Sequence, residues 1–173
     1  TNTLAAAASA VALAAMPLTT TAAWTYNTAA GTITDGSWTL KVTVVDAATH
    51  TLAVGDGTGT ARNAIVSGCG DLALSGEISD GTYVWTLGAL KRYALGSNSD
   101  NLILTNLTVS APHLTTIEDC ALARNVALTN AVFNVPNLRS LGANGFGRTS
   151  ATMPVVADIA QLCPPGTTNV GDA

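Results

Sequence analysis

The stretch that decides the fold reads Pro112-His-Leu-Thr-Thr-Ile117-Glu-Asp-Cys120. It returns as Pro136-Asn-Leu-Arg-Ser-Leu141-Gly-Ala-Asn144 and again as Pro165-Gly-Thr-Thr-Asn-Val170-Gly-Asp-Ala173. The three prolines are 24 and then 29 residues apart. A self-similar period of this length is typical of chains whose single units cannot bury their apolar faces alone. The phrase therefore predicts a β-rich repeat solenoid.

The residues before each proline alternate between apolar and polar, which predicts a strand with one inward face. Proline ends the strand because it cannot donate to a ladder, and an apolar anchor follows five residues later at Ile117, Leu141 and Val170. Leu90–Tyr93 is a possible earlier copy of Leu114–Ile117. The positions expected to face inward are Leu107, Ala131 and Ala160; Val109, Phe133 and Leu162; and Ala111, Val135 and Pro164.

The segments 118–125 and 142–149 are each expected to form a single helical turn or a tight loop, with Leu122 and Phe146 on the convex side. The stretch 128–146 contains the predicted strand, the proline and the beginning of the turn that follows. It resembles the BspA-type leucine-rich repeats of bacterial surface proteins. The resemblance covers about residues 88–173, with Leu122 in place of the family's Phe and a lengthened stretch from Thr149 to Cys163. It implies secretion or surface display, and binding of a protein or a host-surface component.

The composition favours an extracellular β-rich protein and argues against disorder. Charged residues make up only 10% of the chain while hydrophobic types reach 47%, the opposite of a disordered composition. The net charge is -4, and the seven basic residues are scattered. Because no basic stripe exists, nucleic acid and anionic membranes are poor partners.

The N-terminal run from Leu4 to Met16 is apolar over 13 residues. This is too short to span about 30 Å of hydrocarbon but suits the core of a signal peptide. We expect residues 1–23 to be a signal peptide; the alternative is an Ala-rich helix that stays on the protein. The first residue and the third copy of the phrase suggest that the sequence is a fragment at both ends.

Residues 24–88 are predicted to form a small antiparallel β segment, a sandwich or β-coil that covers the end of a repeat array spanning residues 89–173. Two Asp-Gly turns, at Asp35 and Asp80, each precede an aromatic strand. The three tryptophans are expected to form the core of this segment, with sugar-binding platforms as the alternative. The Gly55–Thr60 stretch is interpreted as a turn rather than a phosphate loop or a calcium site. The tryptophans are Trp24, Trp38 and Trp85.

Motifs for catalysis or metal binding are absent from the sequence. The three cysteines have neither zinc nor disulfide-framework spacing; buried thiols are favoured over one disulfide with a free thiol. His50 is interpreted as part of a hairpin end and His113 as a solvated surface residue, and Glu118-Asp119 as a solvated turn rather than an acid/base pair. We therefore predict no enzyme activity, no catalytic residue, no metal and no cofactor. The cysteines are Cys69, Cys120 and Cys163.

The function favoured by the sequence is an exported, non-catalytic surface protein that binds a protein or an extracellular matrix component. The candidate binding face consists of outward positions on the stacked strands: Thr108, Ser110, Asn130 and Asn134. One alternative is a repeat spacer of a larger secreted enzyme, for example a carbohydrate-active one. Another is a structural parallel β-helix, which predicts the same register but no helical turn at 118–125 or 142–149.

Overall fold

The structure, a computed structural model, describes residues 23–59 and 61–145 and the backbone of Asn169–Val170. Within these ranges the chain forms strands and turns and contains no helix. The strands are β1 (Trp24–Asn27), β2 (Thr32–Thr34), β3 (Thr39–Asp46), β4 (Thr51–Val54), β5 (Ile65–Ser67), β6 (Gly70–Ser75), β7 (Glu77–Ser79), β8 (Val84–Leu90), β9 (Leu104–Ser110), β10 (Thr116–Ile117), β11 (Asn130–Asn134), β12 (Ser140–Leu141) and β13 (Asn169–Val170).

Six strands close into a mixed barrel in the order β8-β4-β3-β2-β1-β7, with β7 pairing back to β8. The pairs β4–β8 and β1–β7 are parallel, and the other four are antiparallel. The inward-facing residues of these strands fill the interior of the barrel with large apolar side chains. Fully or almost fully buried among them are Trp24, Ile33, Leu40, Leu52, Ile78 and Leu87.

The two Asp-Gly turns form as predicted and connect antiparallel neighbours of the barrel. Asp35 Oδ1 accepts hydrogen bonds from the backbone N–H groups of Ser37 and Trp38. Asp80 Oδ1 does the same for Thr82 and Tyr83. The glycine after each aspartate has a φ of about 90° (92° at Gly36, 90° at Gly81), a conformation that glycine adopts without steric cost.

Two parallel stacks continue from the barrel. One contains β8, β10, β12 and β13, so that Leu90 pairs with Ile117, Ile117 with Leu141, and Leu141 with Val170. The other is a three-stranded sheet, β6-β9-β11. In it Leu107 pairs with Ala131 and Val109 with Phe133, and all four are buried. The predicted inward register is therefore confirmed for these described residues.

The turns between the stacks are tied together by backbone bonds and by a buried asparagine pair. Leu95 N–H donates to the Ala121 carbonyl at 2.9 Å, and Leu122 N–H donates to the Gly145 carbonyl at 2.8 Å. Asn101 and Asn125 are 2% and 0% exposed, and Asn101 Nδ2 donates to Asn125 Oδ1 at 2.7 Å. The described turns around residues 95–101, 121–125 and 142–145 are thus held together by hydrogen bonds outside the strand pairings.

The barrel covers the edge of the three-stranded sheet with two indole rings. Trp38 Nε1 donates to the Asp71 carbonyl at 2.8 Å, and Trp24 Nε1 donates to the Ala73 carbonyl at 2.9 Å. Both carbonyls belong to β6, which pairs only with β9 among the described strands. Because an unpaired strand edge is a template for association with other chains, these indoles protect it. Trp24, Trp38 and Trp85 are at most 7% exposed, which confirms them as core residues rather than sugar platforms.

The predicted leucine-rich-repeat solenoid, with a strand and a helical turn in each repeat, is wrong. Residues 118–125 form turns, and so do the described residues of 142–149; Cys120 and Arg124 have φ values of 55° and 58°, which a right-handed helix does not contain. The segment predicted as antiparallel is instead the mixed barrel, closed by two parallel pairings. The leucine-rich-repeat and solenoid assignments are corrected accordingly.

The alternative of a structural parallel β-helix agrees with the described residues in two respects. It requires the same strand register and no helical turn at 118–125. The earlier copy is misaligned by three residues, because Leu90 pairs with Ile117 rather than with Leu114. The boundary expected near residue 88 falls inside β8, which belongs to both the barrel and the first stack. Residues 1–22 and 146–168, which include Phe146, Ala160, Leu162 and Cys163, lie outside the described residues.

Candidate binding face

The outward face of the β6-β9-β11 sheet carries three rows of short side chains in register. The strand pairings give these rows as Asp71, Asn106 and Asn130; Ala73, Thr108 and Val132; and Ser75, Ser110 and Asn134. Neighbouring strands are about 4.8 Å apart and alternate residues about 6.8 Å apart. We call these nine residues, seven of which are polar, the polar face.

The four residues expected to bind all lie on this polar face. Thr108, Ser110, Asn130 and Asn134 are exposed, while the residues between them point into the core. Asn134 Nδ2 lies 3.5 Å from Ser110 Oγ across the two strands. The structure therefore brings the four residues together on one surface.

Asp71 and Asn106 belong to the polar face but were not identified from the sequence. The Asp71 Oδ1 atom accepts hydrogen bonds from Asn106 Nδ2 at 2.6 Å and from Thr105 Oγ1 at 2.7 Å. The Asn106 amide, followed by the Thr105 hydroxyl, lowers the pKa of Asp71 below its usual value. Thr129 Oγ1 extends the network by donating to Asn106 Oδ1 at 3.1 Å. These bonds fix the orientation of the charged end of the polar face.

The sequence did not indicate Asp71 because its partner lies 35 residues away, outside the 24-residue period. The buried pair Asn101 and Asn125 was also missed, although these asparagines are 24 residues apart. That spacing is a usable signal, since residues separated by one period occupy equivalent positions in neighbouring turns. A search for polar residues at the repeat spacing would have found this pair.

The described cysteines are free thiols and are not fully buried. Cys69 is exposed and Cys120 is half-buried, so the expectation of buried thiols is wrong for Cys69. A hydrogen bond with the Cys120 thiol raises the pKa of the Tyr93 hydroxyl, more than its burial does. Cys120 also lines a small groove of about 200 Å³ with Tyr93, Ser97 and Arg124.

The two histidines have different surroundings. His113 is exposed, as expected. His50 occupies the β3–β4 turn, and its ring stacks on Tyr83 with centroids 4.3 Å apart. It also meets Trp85 edge-on at 4.9 Å. His50 therefore lies at the end of a hairpin, as predicted, and belongs to an aromatic cluster at the rim of the barrel.

Glu118 and Asp119 are separated by their contacts and do not form a carboxylate pair. Glu118 Oε1 pairs with Lys91 Nζ at 2.8 Å, and Glu118 Oε2 accepts from the Arg92 backbone N–H at 2.9 Å. Asp119 is exposed. The Gly55–Gly59 turn is closed by Asp56 Oδ1, which accepts from Thr58 N and Oγ1 at 2.7 Å each.

Among the described residues, no group of three or more His, Cys, Asp or Glu side chains is placed to hold a metal ion. The described part of the chain also has no helix that is long and apolar enough to cross a membrane. No protein-family model, no curated protein and no solved structure matches the chain, so the comparisons identify no BspA-type family.

Proposed function

We propose that the protein is an exported, non-catalytic binding module whose polar face contacts another protein or an extracellular matrix component. The observation that supports this most directly is the in-register alignment of Thr108, Ser110, Asn130 and Asn134 on one exposed surface. Short hydroxyl and amide side chains lose little conformational freedom when they are ordered by a partner. They can also donate and accept hydrogen bonds toward many partner surfaces.

The size of the polar face sets the strength of the proposed contact. Three strands and three rows at the spacings given above cover roughly 10 Å by 14 Å. A standard interface buries about 800 Å² on each partner, several times this area. A contact through the polar face alone is therefore weak, with a dissociation constant on the order of micromolar or higher, and stronger attachment requires several copies or neighbouring surface.

The experiment is surface plasmon resonance with the full chain over immobilised fibronectin, laminin and collagen. We expect saturable binding to at least one surface, and we expect Thr108→Arg and Ser110→Arg to reduce it about tenfold or more by placing long charged chains on the polar face. Thr82→Arg, on an exposed turn of the barrel, is the matched control and should bind normally.

Two results would contradict the proposal. One is the absence of saturable binding on all three surfaces, and the other is binding that Thr108→Arg and Ser110→Arg leave unchanged. Circular dichroism of each variant shows whether the fold is intact, because these exposed positions do not contribute to the core.

A further inference from the structure

A second surface feature lies on the other parallel stack, away from the polar face. It is a groove of about 250 Å³ where β8, β10 and β12 meet the turns that follow them. Besides the apolar Ile117, the groove is lined by Arg92, Thr116, Glu118, Asp119, Ser140 and Gly142. We propose that this groove binds a small zwitterion, with the α-carboxylate of a free amino acid at Arg92 and its α-ammonium group at Asp119.

Arg92 supplies the positive charge at one side of the groove, and Glu118 holds its backbone in place. The two Glu118 oxygens are already used by the Lys91 ammonium and the Arg92 backbone N–H. The backbone bond fixes where the Arg92 side chain starts, and the guanidinium carbon lies 5.0 Å from the centroid of the Tyr93 ring. A guanidinium held in this way presents planar donors that match a carboxylate.

Asp119 supplies the anionic side. Glu118 is neutralised by Lys91 at 2.8 Å, whereas the Asp119 carboxylate has no hydrogen-bond or ion-pair partner among the described residues. Gly142 maintains the position of Asp119, because a Cβ at residue 142 would overlap the backbone nitrogen and Oδ1 of Asp119. An ammonium group is the complementary ligand for this unpaired carboxylate.

The groove also contains two hydroxyl side chains and is of a suitable size. Thr116 and Ser140 are direct partners in the β10–β12 pairing, and both line the groove. Hydroxyls can bond to either group of the ligand. A groove of about 250 Å³ is below the usual range of about 300–1,000 Å³ for drug-sized ligands, which favours an amino acid with a small side chain.

The test is a titration of the full chain with L-alanine, N-acetyl-L-alanine and L-alaninamide, followed by calorimetry and by NMR chemical shifts of the backbone amides. The two derivatives lack the positive charge and the negative charge of the zwitterion, respectively. We expect alanine to bind with a dissociation constant on the order of 1 mM, and each derivative to bind at least about tenfold more weakly. Shifts should concentrate at residues 116–119 and 140–142.

Arg92→Gln and Asp119→Asn should each weaken alanine binding at least about tenfold, since each removes one charge-assisted contact. Lys41→Gln and Glu77→Gln remove the same charges at exposed positions outside the groove and should leave binding unchanged. The proposal is overturned if alanine does not bind, if the derivatives bind as well as alanine, or if neither groove variant weakens binding. The result is independent of the polar face, which lies on the other sheet.

Discussion

The buried asparagine pair gives the sharpest prediction about stability. Asn125 Nδ2 donates to the Leu122 carbonyl at 2.8 Å and to the Leu95 carbonyl at 3.2 Å, and Asn125 Oδ1 accepts from Asn101 Nδ2. The substitution Asn125→Ala removes all three bonds at a site that is 0% exposed. Solvent cannot replace the lost partners there, so the groups left behind are unsatisfied.

The magnitude follows from counting those groups. The Leu95 carbonyl keeps a long bond from Asn101 Nδ2 at 3.4 Å, but the Leu122 carbonyl and one Asn101 N–H lose their partner. Each buried unsatisfied group costs about 1–3 kcal/mol, so we expect Asn125→Ala to lower the free energy of unfolding by about 4 kcal/mol. For a chain of this size that corresponds to a fall of about 8–16 °C in melting temperature.

Urea denaturation followed by tryptophan fluorescence measures this change, since the three tryptophans are buried. Asn137→Ala is the matched control: Asn137 is exposed and makes one bond, to the Pro112 carbonyl at 2.8 Å, so its loss should cost within about 0.5 kcal/mol. The double variant Asn101→Leu/Asn125→Leu should cost less than the sum of its single variants, because neither side then retains an unpaired side-chain amide, although the Leu95 and Leu122 carbonyls lose their partners. Strict additivity, or equal effects of Asn125→Ala and Asn137→Ala, would refute the reasoning.

Further predictions concern the protected edge of the β6-β9-β11 sheet, the inward register of β11, and the loss of stability at low pH. Trp38→Phe keeps the ring in the core but loses the indole bond to the Asp71 carbonyl, so it should cost about 1–2 kcal/mol in urea denaturation and increase self-association in analytical ultracentrifugation; a fully stable monomer would contradict edge protection. Phe133→Asp buries a charge and should prevent folding or cost more than about 4 kcal/mol, whereas Val132→Asp, which is 42% exposed, should be tolerated; similar thermal melts for the two would exclude the inward register. The lowered pKa of Asp71 contributes stability that is present above the unfolded value near 3.8 and is lost as pH falls through the lower folded value. Acid titration of Asp71→Asn should therefore show a weaker loss of stability below about pH 4 than wild type, and identical curves would rule out this contribution.

The repeat period predicted the register between β9 and β11 because the same alternation of apolar and polar residues occurs in both strands. Leu107 and Val109 point inward in β9, and the pairing with Ala131 and Phe133 one period later follows from stacking equivalent positions. The anchor pair Ile117 and Leu141 is confirmed for the same reason. The positions of the candidate binding residues on one face followed directly from this alternation.

The turns and the barrel could not be predicted in the same way. Cys120 adopts a positive φ value, and nothing in its side chain distinguishes it from a residue of a helical turn, whereas Asn144, also at positive φ, is of a type enriched in this conformation. Closure of the barrel depends on the β4–β8 and β1–β7 pairings, which join residues far apart in the sequence and have no short-range signal. Leu90 is displaced from the repeat alignment because the pairing of β8 with β4 and β7 in the barrel also constrains its position.

The position of β8 has a consequence for the order of folding. This strand pairs with β4 and β7 in the barrel and with β10 in the parallel stack. The stack can therefore grow only after β8 is in place, and each later strand adds to an edge that already exists. Nucleation is slow because the barrel closes long loops, while subsequent additions bring together segments only one period apart and are fast. Substitutions in β8 should accordingly slow refolding, whereas substitutions in β12 should mainly accelerate unfolding.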